Sequence, residues 1–123
     1  MTAYSLNLLY SWEISFFVLM KLIERNMAQI IALCEKHKVV SLYVFGSVLT
    51  DRFNDGSDVD FSVVFDRGSL STIEYGNNYF DFKFALEDLL RSNVDLIEYS
   101  AIKNPYFKEE LDDTKQIIYG QTS

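Results

Sequence analysis

The stretch Val44-Phe45-Gly46-Ser47, followed after ten residues by Asp58-Val59-Asp60, decides the fold of this 123-residue chain. The apolar run from Val39 to Phe45 predicts a buried strand that ends at a glycine turn. A second strand is predicted from Asp58 to Phe65. Because side chains alternate along a strand, Asp58, Asp60 and Ser62 are expected on one face of it. The pattern therefore places two carboxylates beside a glycine turn.

Helices are predicted around these strands. Apolar residues at steps of three and four run from Trp12 to Lys38 and predict one long helix. A mobile connection is predicted from Asp66 to Asn78, and a helix from Tyr79 to Leu90 follows it. A third strand from Val94 to Tyr99 carries Asp95, and a last helix is expected from Pro105 to Gly120. The predicted fold class is α+β (α/β), one domain built on a small sheet.

Composition narrows the range of partners. The formal net charge of −7 argues against broad binding to nucleic acid, which usually needs clustered Lys and Arg. An acidic chain instead favours a basic protein surface or divalent metal ions. Cys34 is the only cysteine, so no disulfide within the chain is possible and a reducing setting is expected. His37 has no second His or Cys nearby and is interpreted as a solvated residue at a helix end.

The amino-terminal region contains the apolar run Ile14–Met20. No Lys or Arg precedes this run and Glu13 adjoins it, so the positive start of a secretory signal is missing. The run is also shorter than the roughly 20 residues needed to span a bilayer. A cytoplasmic location without a membrane partner is therefore expected.

Three acidic residues and a glycine turn form the candidate site. Glycine lets a phosphate approach the backbone closely, and the Ser47 hydroxyl can add a hydrogen-bond donor. Carboxylates from Asp58, Asp60 and Asp95 can share hard cations, and two Mg²⁺ ions in such sites lie roughly 3.5–4 Å apart. Taken singly, Gly-Ser and Asp-x-Asp are common structural patterns. Their joint placement at the ends of separate strands favours catalysis.

The combination Val44-Phe45-Gly46-Ser47 with Asp58-Val59-Asp60 resembles the signature of the DNA polymerase beta-like nucleotidyltransferase superfamily. Short length and the segment Ile102–Phe107 resemble its minimal nucleotidyltransferases (MNT), which in prokaryotes are commonly paired with a HEPN-domain toxin. The resemblance implies a mixed β-sheet flanked by helices, two Mg²⁺ ions as cofactors and ATP as donor substrate. It assigns residues 20–123 to the nucleotidyltransferase domain and residues 1–19 to an amino-terminal extension, helical or disordered.

Roles are carried over from the resemblance by position. The implied metal ligands and catalytic residues are Asp58, Asp60 and Asp95. The implied nucleotide-binding residues are Gly46, Ser47 and Arg52. Many members carry an arginine three residues after the motif serine, where this chain has Thr50. Arg52 is either the replacement for that arginine or a solvated helix residue.

The resemblance implies that the chain is an Mg-dependent protein adenylyltransferase and an antitoxin. It would transfer AMP from ATP to a hydroxyl, on a tyrosine, of a partner HEPN toxin. Two other functions are open. One is a non-catalytic antitoxin that neutralises its partner by binding, although a pure binder gains nothing from three carboxylates at metal-ligand positions. The other is a small-molecule nucleotidyltransferase acting on an antibiotic, for which little chain is left to build a drug pocket.

Overall fold

The computed structural model describes residues 17–45 and 59–120, which form four helices and four strands. The helices are residues 17–25 (α1), Met27–Lys36 (α2), Thr72–Leu90 (α3) and Pro105–Thr114 (α4). The strands are Val39–Phe45 (β1), Val59–Phe65 (β2), Val94–Glu98 (β3) and Gln116–Tyr119 (β4). Short 3-10 turns lie at Arg67–Ser69 and Tyr99–Ala101. Within the described residues, no helix is long and apolar enough to cross a membrane.

The four strands form one mixed sheet in the order β3-β2-β1-β4. β1 pairs antiparallel with β2 and with β4, whereas β2 and β3 are parallel. Parallel neighbours need a long crossover connection, and α3 lies within that connection between β2 and β3. The mixed sheet flanked by helices confirms the expected fold class.

One face of the sheet is covered by helices and forms the core. Leu42 and Val44 of β1 and Phe61 of β2 project into it and are fully buried. Phe82 and Leu86 of α3 pack into the same apolar cluster. Alternating side chains leave the other residues of each strand on the opposite face.

The opposite face carries the polar residues of the central strands and is partly covered by α4. Phe45 and Tyr43 of β1 lie on this face, as do Asp60 and Ser62 of β2. The ring of Phe107 in α4 meets the ring of Phe45 edge-on, with centroids 5.9 Å apart. The sheet therefore separates an apolar core from a face that still displays carboxylates.

The long amino-terminal helix expected from Trp12 to Lys38 is wrong as a single element. In the described part, the helix is interrupted at Asn26, between α1 and α2. The Asn26 side-chain amide donates to the Leu22 carbonyl oxygen at 2.8 Å. Such local bonds compete with the backbone ladder, which is why asparagine weakens helix interiors.

The mobile connection expected from Asp66 to Asn78 is also wrong, because α3 begins at Thr72. Ser71 caps the helix: its side chain accepts from the Glu74 N–H, and the Glu74 carboxylate accepts from the Ser71 N–H. This reciprocal capping box satisfies two backbone donors at the helix start. The helix therefore begins seven residues before the expected start at Tyr79.

The carboxyl-terminal region differs from the single helix expected up to Gly120. The helix does begin at Pro105, with the Asn104 side chain accepting from the next two backbone N–H groups. It ends at Thr114, and β4 follows as an edge strand paired with β1. The third strand also ends one residue early, because Tyr99 starts a 3-10 turn.

A turn of three residues, Arg91 to Asn93, joins α3 to β3. Arg91 closes the helix in the left-handed conformation, with φ 55° and ψ 38°. Helices commonly end on such a residue, which is usually glycine. The turn delivers the chain directly into β3, the strand that carries Asp95.

Candidate active site

Asp60 and Asp95 lie directly opposite each other on neighbouring strands. In the parallel register of β2 and β3 they are Cα partners, and adjacent strands are about 4.8 Å apart. Their neighbours Val59 and Val94 are buried in the core, so both aspartates project from the opposite face. Asp60 is half-buried and Asp95 is exposed. The structure therefore brings together two of the three predicted acidic residues.

β1 ends beside this pair, at the residue before the predicted glycine turn. Phe45 is the last residue of β1 and the Cα partner of Asp60. The chain thus reaches the glycine motif at the end of the sheet where the two carboxylates lie. The other predicted site residues lie outside the described ranges, and their roles stay predictions: Gly46, Ser47, Arg52 and Asp58.

Two side chains of α3 hold β3 on either side of Asp95. β3 is an edge strand. The Glu87 carboxylate accepts from the Val94 N–H at 2.9 Å, and the Tyr79 hydroxyl donates to the Leu96 carbonyl oxygen at 2.5 Å. We call Tyr79 and Glu87 the edge clamp. Because it fixes the residues before and after Asp95, it positions this carboxylate opposite Asp60.

The electrostatic surroundings keep the clamp tyrosine protonated. Burial raises the pKa of Tyr79, and the nearby charges of Asp95 and Glu98 raise it further. The phenol therefore retains its proton at neutral pH and remains a donor to the Leu96 carbonyl oxygen.

The other carboxylate of β3, that of Glu98, is neutralised by an arginine. Arg67 Nη2 lies 2.6 Å from Glu98 Oε2 and donates to the Tyr75 hydroxyl at 3.2 Å. These hydrogen bonds, with Tyr75 first and Glu98 second, raise the pKa of Arg67. Glu98 is thus engaged in an ion pair, in contrast to the exposed Asp95.

The acidic pair has the donor chemistry of a magnesium site. Carboxylate oxygens are ligands that Mg²⁺ prefers, and a site built on one or two carboxylates is completed by water and substrate phosphates. Over residues 17–45 and 59–120, no group of three or more His, Cys, Asp or Glu side chains is placed to hold a metal. Asp60 and Asp95 fit such an ion, and the predicted third ligand is Asp58.

Sequence reasoning missed the edge clamp. It placed Tyr79 only at the start of a predicted helix and assigned no role to Glu87. Their partners are backbone groups, which carry no residue-specific signal, and Leu96 is 17 residues away from Tyr79 in the sequence. Only the packing of α3 against the edge of the sheet reveals the contact.

Comparison with known proteins identifies the family of this chain. The family model described as polymerase beta, nucleotidyltransferase matches residues 28–123. A Methanocaldococcus jannaschii protein described as a candidate protein adenylyltransferase is 38% identical over 85 residues, which cover 69% of this chain and 80% of that protein. The chain therefore belongs to the polymerase beta nucleotidyltransferase family, and it is a nucleotidyltransferase.

Solved structures share the fold. A candidate minimal nucleotidyltransferase superposes with a TM-score of 0.63 at 26% identity, over 78% of this chain and 92% of that chain. An MNT antitoxin in complex with a tri-AMPylated HEPN toxin of Shewanella oneidensis has a TM-score of 0.54 at 23% identity, over 80% and 72%. The architecture is thus that of the small, minimal members of the family.

Proposed function

We propose that this chain transfers AMP from ATP to a tyrosine hydroxyl of a partner HEPN-domain toxin and thereby acts as its antitoxin. The observation that carries the proposal is the placement of Asp60 opposite Asp95 on the open face of the sheet, at the end where β1 leads into Gly46. Family membership supports nucleotidyl transfer. The similar M. jannaschii protein is described as a candidate protein adenylyltransferase, which supports a protein as the acceptor of AMP.

Each site residue has a proposed task in the transfer. Asp58, Asp60 and Asp95 would hold two Mg²⁺ ions, which would supply positive charge to stabilise the oxygens of the phosphoryl group during transfer. Gly46 and Ser47 hold the triphosphate through backbone and hydroxyl donors. The acceptor oxygen forms a bond to the α-phosphorus while the bond from that phosphorus to the bridging oxygen breaks, and pyrophosphate leaves. Asp95, the exposed carboxylate, accepts the hydroxyl proton and passes it to solvent.

The proposed partner follows from chemistry and from the structural likeness. In the Shewanella complex, an MNT antitoxin of the same fold is bound to a tri-AMPylated HEPN toxin. The net charge of −7 favours encounter with a basic protein surface. AMP on a toxin hydroxyl adds a bulky anionic group, which provides a simple means of silencing it.

The test uses the purified chain, ATP, Mg²⁺ and a HEPN-domain protein, sought first in the neighbouring gene. Intact mass measurement should show added AMP on that protein, and none after its acceptor tyrosine is changed to phenylalanine. Asp60→Asn and Asp95→Asn should each slow transfer roughly 10²-fold or more, because metal charge stabilisation contributes several kcal/mol. Asp113→Asn is the matched control, since this exposed carboxylate lies on α4.

A toxin-protection assay in cells distinguishes neutralisation by AMP transfer from neutralisation by binding alone. If a chain carrying both Asp60→Asn and Asp95→Asn neutralises the toxin as well as the wild-type chain does, transfer is dispensable. The proposed function then fails, and steric neutralisation replaces it.

A further inference from the structure

The outward face of α3 carries three exposed apolar side chains. Ile73 is 79% exposed, and Phe80 and Phe84 are each 52% exposed. Spacings of seven and four residues align them along one side of the helix, opposite the buried Phe82 and Leu86. We call Ile73, Phe80 and Phe84 the outer stripe. It offers apolar area that the described residues 17–45 and 59–120 leave exposed.

Aromatic contacts order the outer stripe. The rings of Phe80 and Phe84 stack at 6.0 Å between centroids, and Tyr79 meets Phe80 edge-on at 5.1 Å. Gly76 lies between Ile73 and Phe80 on this side, and beyond the adjacent backbone of its own helix nothing lies within 4 Å of where a Cβ would be. Two pre-arranged aromatic rings beside an open notch resemble the anchors that dominate protein interfaces.

A row of carboxylates borders the outer stripe along its length. Glu74, Asp81 and Asp88 follow one another at seven-residue intervals, and all three are exposed. We call them the acidic ridge. Lys83 is the only basic residue in the sequence of α3, and its ammonium lies over the Phe84 ring at 5.8 Å. The helix thus displays an apolar stripe with a negative border along one side.

We propose that the outer stripe and the acidic ridge dock a basic amphipathic helix of the acceptor protein. That the docked helix belongs to the acceptor protein rests on the proposed function. That the helix is basic and amphipathic rests on charge complementarity, because apolar residues bordered by Lys and Arg match this face. The repeat of seven along a 19-residue helix suits packing against another helix. Pairing this face with the same face of a second copy would bring six ridge carboxylates together with only two lysines, and an anionic membrane would be repelled.

Binding of the HEPN-domain acceptor, measured by titration calorimetry, tests the docking site. The double variant Phe80→Ser with Phe84→Ser should weaken binding at least 100-fold, which is about 2.7 kcal/mol, because buried aromatic anchors carry most interface energy. Tyr106→Ser is the matched control. This aromatic residue is 82% exposed on α4, and its loss should change binding less than about threefold. Circular dichroism checks that both variants are folded.

The acidic ridge is tested by the association rate. Asp81→Lys with Asp88→Lys should slow association about tenfold at low salt, because steering by complementary charge acts mainly on that rate. Glu109→Lys with Asp113→Lys is the matched control for net charge, since both carboxylates are exposed on α4.

The outcomes distinguish docking from catalysis. Docking is overturned if the acceptor fails to bind the wild-type chain, or if the serine variant binds as tightly as wild type. It is also overturned if the wild-type chain is a dimer by sedimentation and the serine variant is a monomer. If the serine variant loses binding while the wild-type complex transfers no AMP, docking stands and the proposed function fails.

Discussion

Two glycines, Gly120 and Gly76, lack a Cβ with opposite consequences for stability. Gly120 has φ 98°, and a Cβ there would collide with the Val40 carbonyl oxygen and lie 2.9 Å from Ser41 Cα. It lets the chain pass close to the backbone of β1 at the end of β4. Gly76, the fifth residue of α3, has open space where a Cβ would be. One glycine is required by the fold, and the other weakens its helix.

Alanine at these two positions should change stability in opposite directions. Gly120→Ala should lower the free energy of unfolding by about 2 kcal/mol or more, from left-handed strain and the backbone collision. Gly76→Ala should raise it by roughly 0.5–1 kcal/mol, the helix-propensity difference. Urea denaturation measures both. Changes of the same sign in the free energy of unfolding would contradict the opposite roles of the two glycines.

Side-chain alternation predicted which residues share a face, but not what they contact. Asp60 and Asp95 could be assigned to strands from their apolar neighbours, and the structure sets them side by side. His37 was interpreted as solvated, which is wrong: it is 7% exposed. Its Nδ1 lies 3.2 Å from the side-chain oxygen of Asn78, 41 residues away, and its ring packs near Phe82. Such long-range partners leave no local pattern.

At the scale of elements, the predicted strands agree with the structure where the strand's own apolar residues carry the signal. β1 was predicted with its observed ends, because seven largely apolar residues stop at a glycine. The start of α3 was missed although Ser71-x-x-Glu74 is a readable capping signal. β4 was missed for a different reason. Its four residues become a strand only by pairing with β1, and no pattern within them specifies that partner.

The edge clamp yields a prediction at this scale. Tyr79→Phe removes the donor to the Leu96 carbonyl oxygen and should lower the free energy of unfolding by about 1 kcal/mol. With β3 loosened around Asp95, transfer should need a higher Mg²⁺ concentration, and kcat should fall more than KM for ATP rises. Steady-state rates over a Mg²⁺ series measure this.

Matched variants separate positioning from simple destabilisation. Glu87→Gln retains an oxygen acceptor for the Val94 N–H and should restore most of the wild-type Mg²⁺ dependence, whereas Glu87→Leu should not. Tyr106→Phe, exposed on α4, is the control hydroxyl deletion. An unchanged Mg²⁺ dependence in Tyr79→Phe would show that the edge clamp stabilises the fold but does not position Asp95.

For the whole molecule, the net charge can be read from the sequence, whereas the strand order cannot. The charge of −7 is read directly from composition. The order β3-β2-β1-β4 depends on which strands meet after folding, and local patterns indicated only a small sheet. The mixed sheet was expected from the family resemblance.

The acidic surface should give two opposite responses to salt. Raising NaCl from about 50 mM to about 500 mM shortens the screening length to a few Å. The melting temperature of the chain alone should rise, because self-repulsion weakens. The rate of association with the basic acceptor should fall about tenfold or more, because steering is lost. A salt-independent association rate would contradict the proposed complementarity.

The short turn from Arg91 to Asn93 has an evolutionary consequence. Strand side chains alternate, so one inserted or deleted residue there would rotate Asp95 towards the helices and Leu96 towards solvent. Length variation among descendants of this gene should therefore be purged from this turn. It should accumulate instead around Gly68 and Ser69, which are exposed in the link between β2 and α3, because an insertion there inverts no strand.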